Sequence, residues 1–325
     1  MALCVVITRL VDTPTMPSNF LRSVRIRAWR TVLMVLLVLC RTQALPAQRL
    51  MTAADLGALT AGPPTATIPY GPEPLQFGKL RVPKTPGPHP VVVFVHGGCW
   101  LSAYDIAHVG ALEQALADSG IAVWSLEYRR VGDAGGGWPG TFADIARGTD
   151  YLREIADRYQ LDLHRVVASG HSAGGAAALW LAARVKVPST SPLFANAPLP
   201  IQAVVALAPA ADFDALQASG VCGNVVTKVM GGTPTEVPDR YAAVSPMRLM
   251  PIGGPQWIVV GAQDAVWGPG GRAYASRARD RGEANVQLVD LPQSGHFEMI
   301  NPATSSWSAV IAAVRAGIAA TSTRR

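Results

Sequence analysis

Val166-Val167-Ala168-Ser169-Gly170-His171-Ser172-Ala173-Gly174-Gly175 joins an apolar run to an alanine-rich one. Arg165 to Ala168 reads as a buried strand, and a helix pattern starts at Ala173 and runs to about Val185. Between them, Gly170-x-Ser172-x-Gly174 has the spacing of a strand–turn–helix nucleophile elbow. A turn this sharp forces the serine into strained backbone angles. Side chains two residues to either side would clash with strand and helix, hence the glycines. The turn lifts the Ser172 hydroxyl clear of the sheet and sets it at a helix N-terminus, where backbone N–H groups stabilise negative charge.

Outward from this stretch, apolar strands alternate with helical patterns. Val91–Val95 is a continuous apolar run of the kind buried on both faces of a sheet, followed by His96-Gly97-Gly98-Cys99-Trp100. A helix is expected over about Ala107–Ser119, a strand over Ile121–Leu126 and a helix over about Thr141–Tyr159. Beyond the serine, strands are expected at Ala203–Leu207, Gln256–Val260 and Val286–Leu291, and helices at about Gly270–Arg281 and Pro302–Ala319. Thr65–Tyr70 and Leu75–Val82 read as edge strands interrupted by proline. Such alternation predicts an α/β fold with a mostly parallel central sheet flanked by helices. Residues 65–325 form one domain in this reading. The polar, irregular stretch 211–251 is a short cap-like insertion, and 48–64, with Pro63-Pro64, is a flexible lead-in.

The chain has 325 residues, 49% apolar and 15% charged, which suits a globular fold. Its net charge of +6 is unevenly spread, because six arginines in residues 1–47 face one acid, Asp12. No basic stripe interleaved with aromatics follows, so no nucleic-acid partner is expected. The basic segment Arg22–Arg30 and the apolar run Thr31–Cys40 read as an export signal, too short to span a bilayer. The mature chain is therefore expected to be periplasmic or secreted, without stable membrane insertion. The scattered histidines make no metal site, and no dinucleotide or phosphate-loop fingerprint occurs, so no cofactor is expected.

A serine hydroxyl needs a base within hydrogen-bond reach. His296, in Gln293-Ser294-Gly295-His296-Phe297, follows the last strand at the sheet edge where the elbow lies, and is the candidate base. His96 is expected to brace its own loop, His108 to sit in a helix as a surface or capping residue, and His171 to point away from Ser172. The base needs an acid to hold its tautomer. Asp264, after the strand Gln256–Val260, is preferred over Asp212 and Asp214, which follow Ala203–Leu207. Candidate oxyanion donors are the N–H groups of Gly97, Gly98 and Cys99 and that of Ala173. Trp100, Trp138 and Trp267 fall on loops at the same edge and are candidate substrate-lining residues.

Together, His96-Gly97-Gly98-Cys99-Trp100, Glu127-Tyr128-Arg129, Gly170-His171-Ser172-Ala173-Gly174-Gly175, Asp264 and His296 resemble the α/β-hydrolase superfamily over residues 65–320. Within it they are similar to the hormone-sensitive-lipase and kynurenine-formamidase-like groups. Lipase-like relatives carry a third glycine where Cys99 stands; a variable residue followed by Trp is the formamidase-like pattern. The resemblance implies a serine hydrolase in which Ser172 attacks the carbonyl, His296 shuttles the proton and Asp264 orients His296, with an acyl-enzyme intermediate. Esters of small acyl or aryl groups are the expected substrates, with an arylformamidase or amidase as the alternative and a non-catalytic hydrolase-fold binding protein as the remaining one. Beyond the export segment, which holds Cys4 and Cys40, stand Cys99 and Cys222, either a disulfide pinning the insertion to the oxyanion loop or two buried thiols.

Overall fold

A computed structural model describes residues 49–322. The export-signal reading of residues 1–47 lies outside the described residues. Eight strands form one sheet: β1 Ala66–Pro69, β2 Phe77–Arg81, β3 His89–Val95, β4 Ala122–Leu126, β5 Leu161–His171, β6 Ala203–Leu207, β7 Gln256–Gly261 and β8 Val286–Leu291. Their order is β1-β2-β4-β3-β5-β6-β7-β8. The first two pairs in that order, β1–β2 and β2–β4, are antiparallel, and the remaining five are parallel.

The helices are α1 Gly110–Asp118, α2 Gly140–Asp150, α3 Leu152–Tyr159, α4 Ala173–Ala183, α5 Phe213–Ser219, α6 Val221–Met230, α7 Pro238–Val244, α8 Pro246–Leu249, α9 Gly268–Asp280 and α10 Trp307–Ser322. The period of two along β3 sorts them onto two faces. Val91, Val93 and Val95 pack with Ile145, Leu179 and Tyr274 of α2, α4 and α9. Val92 and Phe94 pack with Leu112 and Leu116 of α1 and with Val310 and Val314 of α10. Both faces are covered, so the central strands are apolar throughout.

The structure corrects three sequence expectations. The helix expected over 141–159 is two, α2 and α3, meeting at Tyr151, and both pack apolar residues into one core. The closing helix begins at Trp307, because residues 298–300 form a 3-10 turn and Thr304 Oγ1 ties the following chain to the carbonyl of Glu298. The lead-in is a packed strap. Ala53–Ala58 is a 3-10 turn with Leu56 buried, Met51 N–H donates to Glu298 Oε1, and Arg81 donates to the carbonyls of Gly62 and Pro63.

Candidate active site

The elbow has the backbone its sequence demands. Ser172 sits at φ 57°, ψ −117°, between the end of β5 and the start of α4. A Cβ on Gly170 would lie 2.2 Å from the carbonyl oxygen of Gly174. One on Gly174 would lie 1.9 Å from that of Val95. The strained angles are over-determined by neighbours: Ser172 N–H donates to the Leu207 carbonyl at 2.8 Å, and the Ser172 carbonyl accepts from Ala210 N–H.

Asp264 and His296 are brought together from the ends of β7 and β8. His296 Nδ1 lies 2.7 Å from Asp264 Oδ2, while Asp264 Oδ1 accepts from the N–H groups of Trp267 (2.9 Å) and Val266 (3.2 Å). A carboxylate only accepts, so Nδ1 carries the proton and Nε2 is the basic nitrogen. Burial alone would raise the Asp264 carboxyl; the hydrogen bond and charge of His296 and the two backbone donors outweigh it and hold it below the usual carboxylate range. The rival acids are engaged elsewhere: Asp212 caps α5 through Ala215 N–H, and Asp214 pairs with Arg248.

Gly98 (φ 110°) and Cys99 (φ 52°) turn the chain after β3 in the left-handed region. Among the described residues, the N–H groups of Gly97, Gly98 and Cys99 have no protein acceptor. Ala173, the first residue of α4, has none within its helix. Gly97 is pressed against the elbow; a Cβ there would lie 2.8 Å from the His171 carbonyl oxygen. The loop is braced from below: His96 Nε2 lies 3.1 Å from Glu127 Oε1, Tyr128 Oη donates to the His96 carbonyl, and Glu127 Oε2 accepts from Ile106 N–H. From above, Cys99 is joined to Cys222 of α6 by a disulfide, so the insertion is tied to the glycine loop after β3.

A cavity of about 130 Å³ opens over these groups, lined by Ser172, His296, Gly98, Cys99 and Cys222, by Trp267, Tyr104, His108, His171 and Phe297, and by Ala53 and Leu56 of the strap. Trp267 stacks on His296, with ring centroids 5.4 Å apart. The aromatic lining expected from the sequence is corrected for Trp100 and Trp138, which are packing residues. Trp100 is 1% exposed and stands edge-on to Phe213; Trp138 packs on Phe142 and beneath the Arg240 guanidinium. His171 is corrected as well. It turns toward the site and donates from Nε2 to the His296 carbonyl at 2.8 Å, its ring 4.5 Å from that of His296. His108, expected at the surface or as a cap, lines the cavity. The strap's apolar residues, Leu50, Met51, Leu56 and Leu59, follow no clear strand or helix period; for His171 the one clue is its place beside the serine.

A model of the BD-FAE family matches residues 80–267. Esterase LipQ of Mycobacterium tuberculosis (strain ATCC 25618 / H37Rv) is 26% identical over 242 residues, 71% of this chain and 56% of its own length. Neutral cholesterol ester hydrolase 1 of Rattus norvegicus is 39% identical over 88 residues, 26% of this chain and 21% of its own. The chain spans less than two thirds of the length of the curated relatives it matches. Among solved structures, esterase B of Lactobacillus rhamnosis superposes with a TM-score of 0.68 at 18% identity, covering 94% of this chain and 97% of its own. A truncated carbohydrate esterase from gut microbiota gives 0.67 at 19% identity, covering 80% and 98%. At these identities the likeness establishes the α/β-hydrolase fold.

Proposed function

Since the chain belongs to the BD-FAE family, we propose that it is a carboxylic ester hydrolase working through Ser172, His296 and Asp264. The observation that carries this reading is the hydrogen bond from His296 Nδ1 to Asp264 Oδ2 beside a serine held at an elbow. In this mechanism Nε2 of His296 takes the Ser172 hydroxyl proton as Oγ attacks the ester carbonyl. The oxyanion is met by N–H groups of Gly98, Cys99 and Ala173, with Gly97 setting the loop against the elbow; one such donor typically contributes about 2.7–4 kcal/mol to the transition state. His296 returns the proton to the leaving alcohol, and water, activated by the same nitrogen, releases the acyl group. The names of the relatives, esterases of several kinds, support ester substrates. The small cavity supports short acyl or aryl groups, with residues 211–251 as a cap. The disulfide supports an exported protein, since such bonds persist in oxidising compartments.

Hydrolysis of p-nitrophenyl acetate, butyrate and octanoate by the wild-type chain and by Ser172→Ala tests the proposal. Turnover that favours the shorter acyl chains and vanishes in the variant is expected. Turnover that survives the variant, or folded protein inert on every ester, would overturn it.

A further inference from the structure

Among the polar side chains that line the cavity, most have a task in the mechanism above. Ser172 and His296 react, and His171 spends its Nε2 proton on the His296 carbonyl. His108 has none. It lies on the 3-10 turn Ile106–Val109 that follows the oxyanion loop, and its Nδ1 lies 2.6 Å from the carbonyl oxygen of Asp105. A carbonyl only accepts, so Nδ1 carries the proton and Nε2 presents a lone pair. Nε2 has no protein partner among the described residues.

The ring is held in place from several sides. Asp105 Oδ1 accepts from Ala107 N–H and Glu127 Oε2 from Ile106 N–H, fixing the turn that carries it. His96, itself stacked on Tyr128, meets the His108 ring edge-on at a centroid separation of 5.6 Å. The result is a pre-oriented hydrogen-bond acceptor in the wall of a small, mostly apolar cavity that also holds the reactive serine and is lined by Tyr104 and Trp267.

We propose that His108 is a specificity-determining residue whose Nε2 accepts a hydrogen bond from a hydroxyl group of the substrate, so that the enzyme prefers hydroxylated esters. The proposal rests on the ester-hydrolase reading above. Burial, reinforced by His96 alongside, lowers the imidazole to about 4, which keeps Nε2 an acceptor throughout the neutral range. An unpaired acceptor facing an apolar substrate is the source of discrimination, because a site built to hold a hydroxyl leaves its own group desolvated when the hydroxyl is missing. The hydroxyl can belong to the alcohol or to the acyl part of the ester.

The test compares each hydroxylated ester with its methyl ether by kcat/KM, following acid release at constant pH. On the alcohol side the pairs are the monobutyrates of ethylene glycol and of 1,4-butanediol against their methoxy counterparts. On the acyl side the pair is methyl 3-hydroxybutanoate against methyl 3-methoxybutanoate. Wild-type enzyme is expected to favour the hydroxyl about tenfold in at least one arm, and that arm says which part of the ester reaches His108. In His108→Phe, which keeps a ring but no acceptor, the ratio is expected to fall to about one; His108→Gln, whose amide oxygen can accept, is expected to recover most of it. A wild-type ratio near one in every pair, or an undiminished ratio in His108→Phe, would overturn the proposal while leaving the hydrolase reading intact. No turnover of any ester would instead overturn the hydrolase reading and this proposal with it.

Discussion

His171 Nε2 donates a hydrogen bond to the backbone carbonyl of His296 across 2.8 Å. The residue before the candidate nucleophile thus anchors the loop that carries the candidate base. Burial, with the charge of His296 beside it, pushes the His171 imidazole well below its ordinary value, so it makes this contact as a neutral donor.

If that contact positions His296, removing it costs turnover more than binding. His171→Ala is expected to lower kcat about tenfold or more with KM changed much less, because misplacement of a reacting group acts on the transition state. His171→Gln, which can still donate, is expected to recover most of the loss. Steady-state kinetics on p-nitrophenyl butyrate reads both; equal loss in the two variants would contradict the positioning role.

The Cys99–Cys222 bond spans 123 residues of sequence and ties the insertion to the candidate oxyanion loop. Replacing both cysteines by serine is expected to cost about 2–5 kcal/mol of stability. It should also lower kcat by freeing Cys99 in the left-handed conformation it must hold. Denaturant unfolding beside kinetics checks this. A double variant as stable and as active as wild type would contradict it.

The strap closes one side of the cavity through Ala53 and Leu56. Leu56→Ala is expected to widen it, raising the ratio of kcat/KM for octanoate over acetate by about tenfold, within the range one apolar pocket contact can supply. An unchanged chain-length profile would remove the strap from the substrate site.

Acid should destabilise the fold early. His108 is lowered to about 4 and His171 lies well below its ordinary value, both chiefly by burial. Unfolded imidazoles, near pH 6.5, then bind protons that the folded ones refuse. Stability is thus fully present above about pH 6.5 and is lost as pH falls toward 4. His108 accounts for roughly 3 kcal/mol at about 1.4 kcal/mol per unit. Denaturant midpoints at pH 7.5, 5.5 and 4.5 should decline, and less steeply in His108→Gln; a flat profile would contradict the assignment.

Chain order made much of this legible. The continuous apolar runs at Val91–Val95 and Ala203–Leu207 announce strands covered on both faces, and the glycines around Ser172 announce the turn. Because parallel strands all end at one edge, chain order alone sets Asp264 and His296 at the same edge as Ser172. What stayed hidden depends on tertiary contacts. Nothing local says that Trp100, right after the glycine loop, turns inward onto Phe213, or that His171 reaches the His296 carbonyl. The strap was illegible because its order comes from remote partners, Glu298 and Arg81, and from burial of a single leucine.

The central claim is that Ser172 forms a covalent acyl-enzyme. Its most direct measurement is reaction of the protein with diethyl p-nitrophenyl phosphate, followed by mass mapping of the peptides. One diethylphosphoryl group on Ser172, formed in step with loss of esterase activity and absent in His296→Ala, is the predicted result. Full inactivation with the label on another residue, or ester hydrolysis that persists with Ser172 fully labelled, would contradict the account.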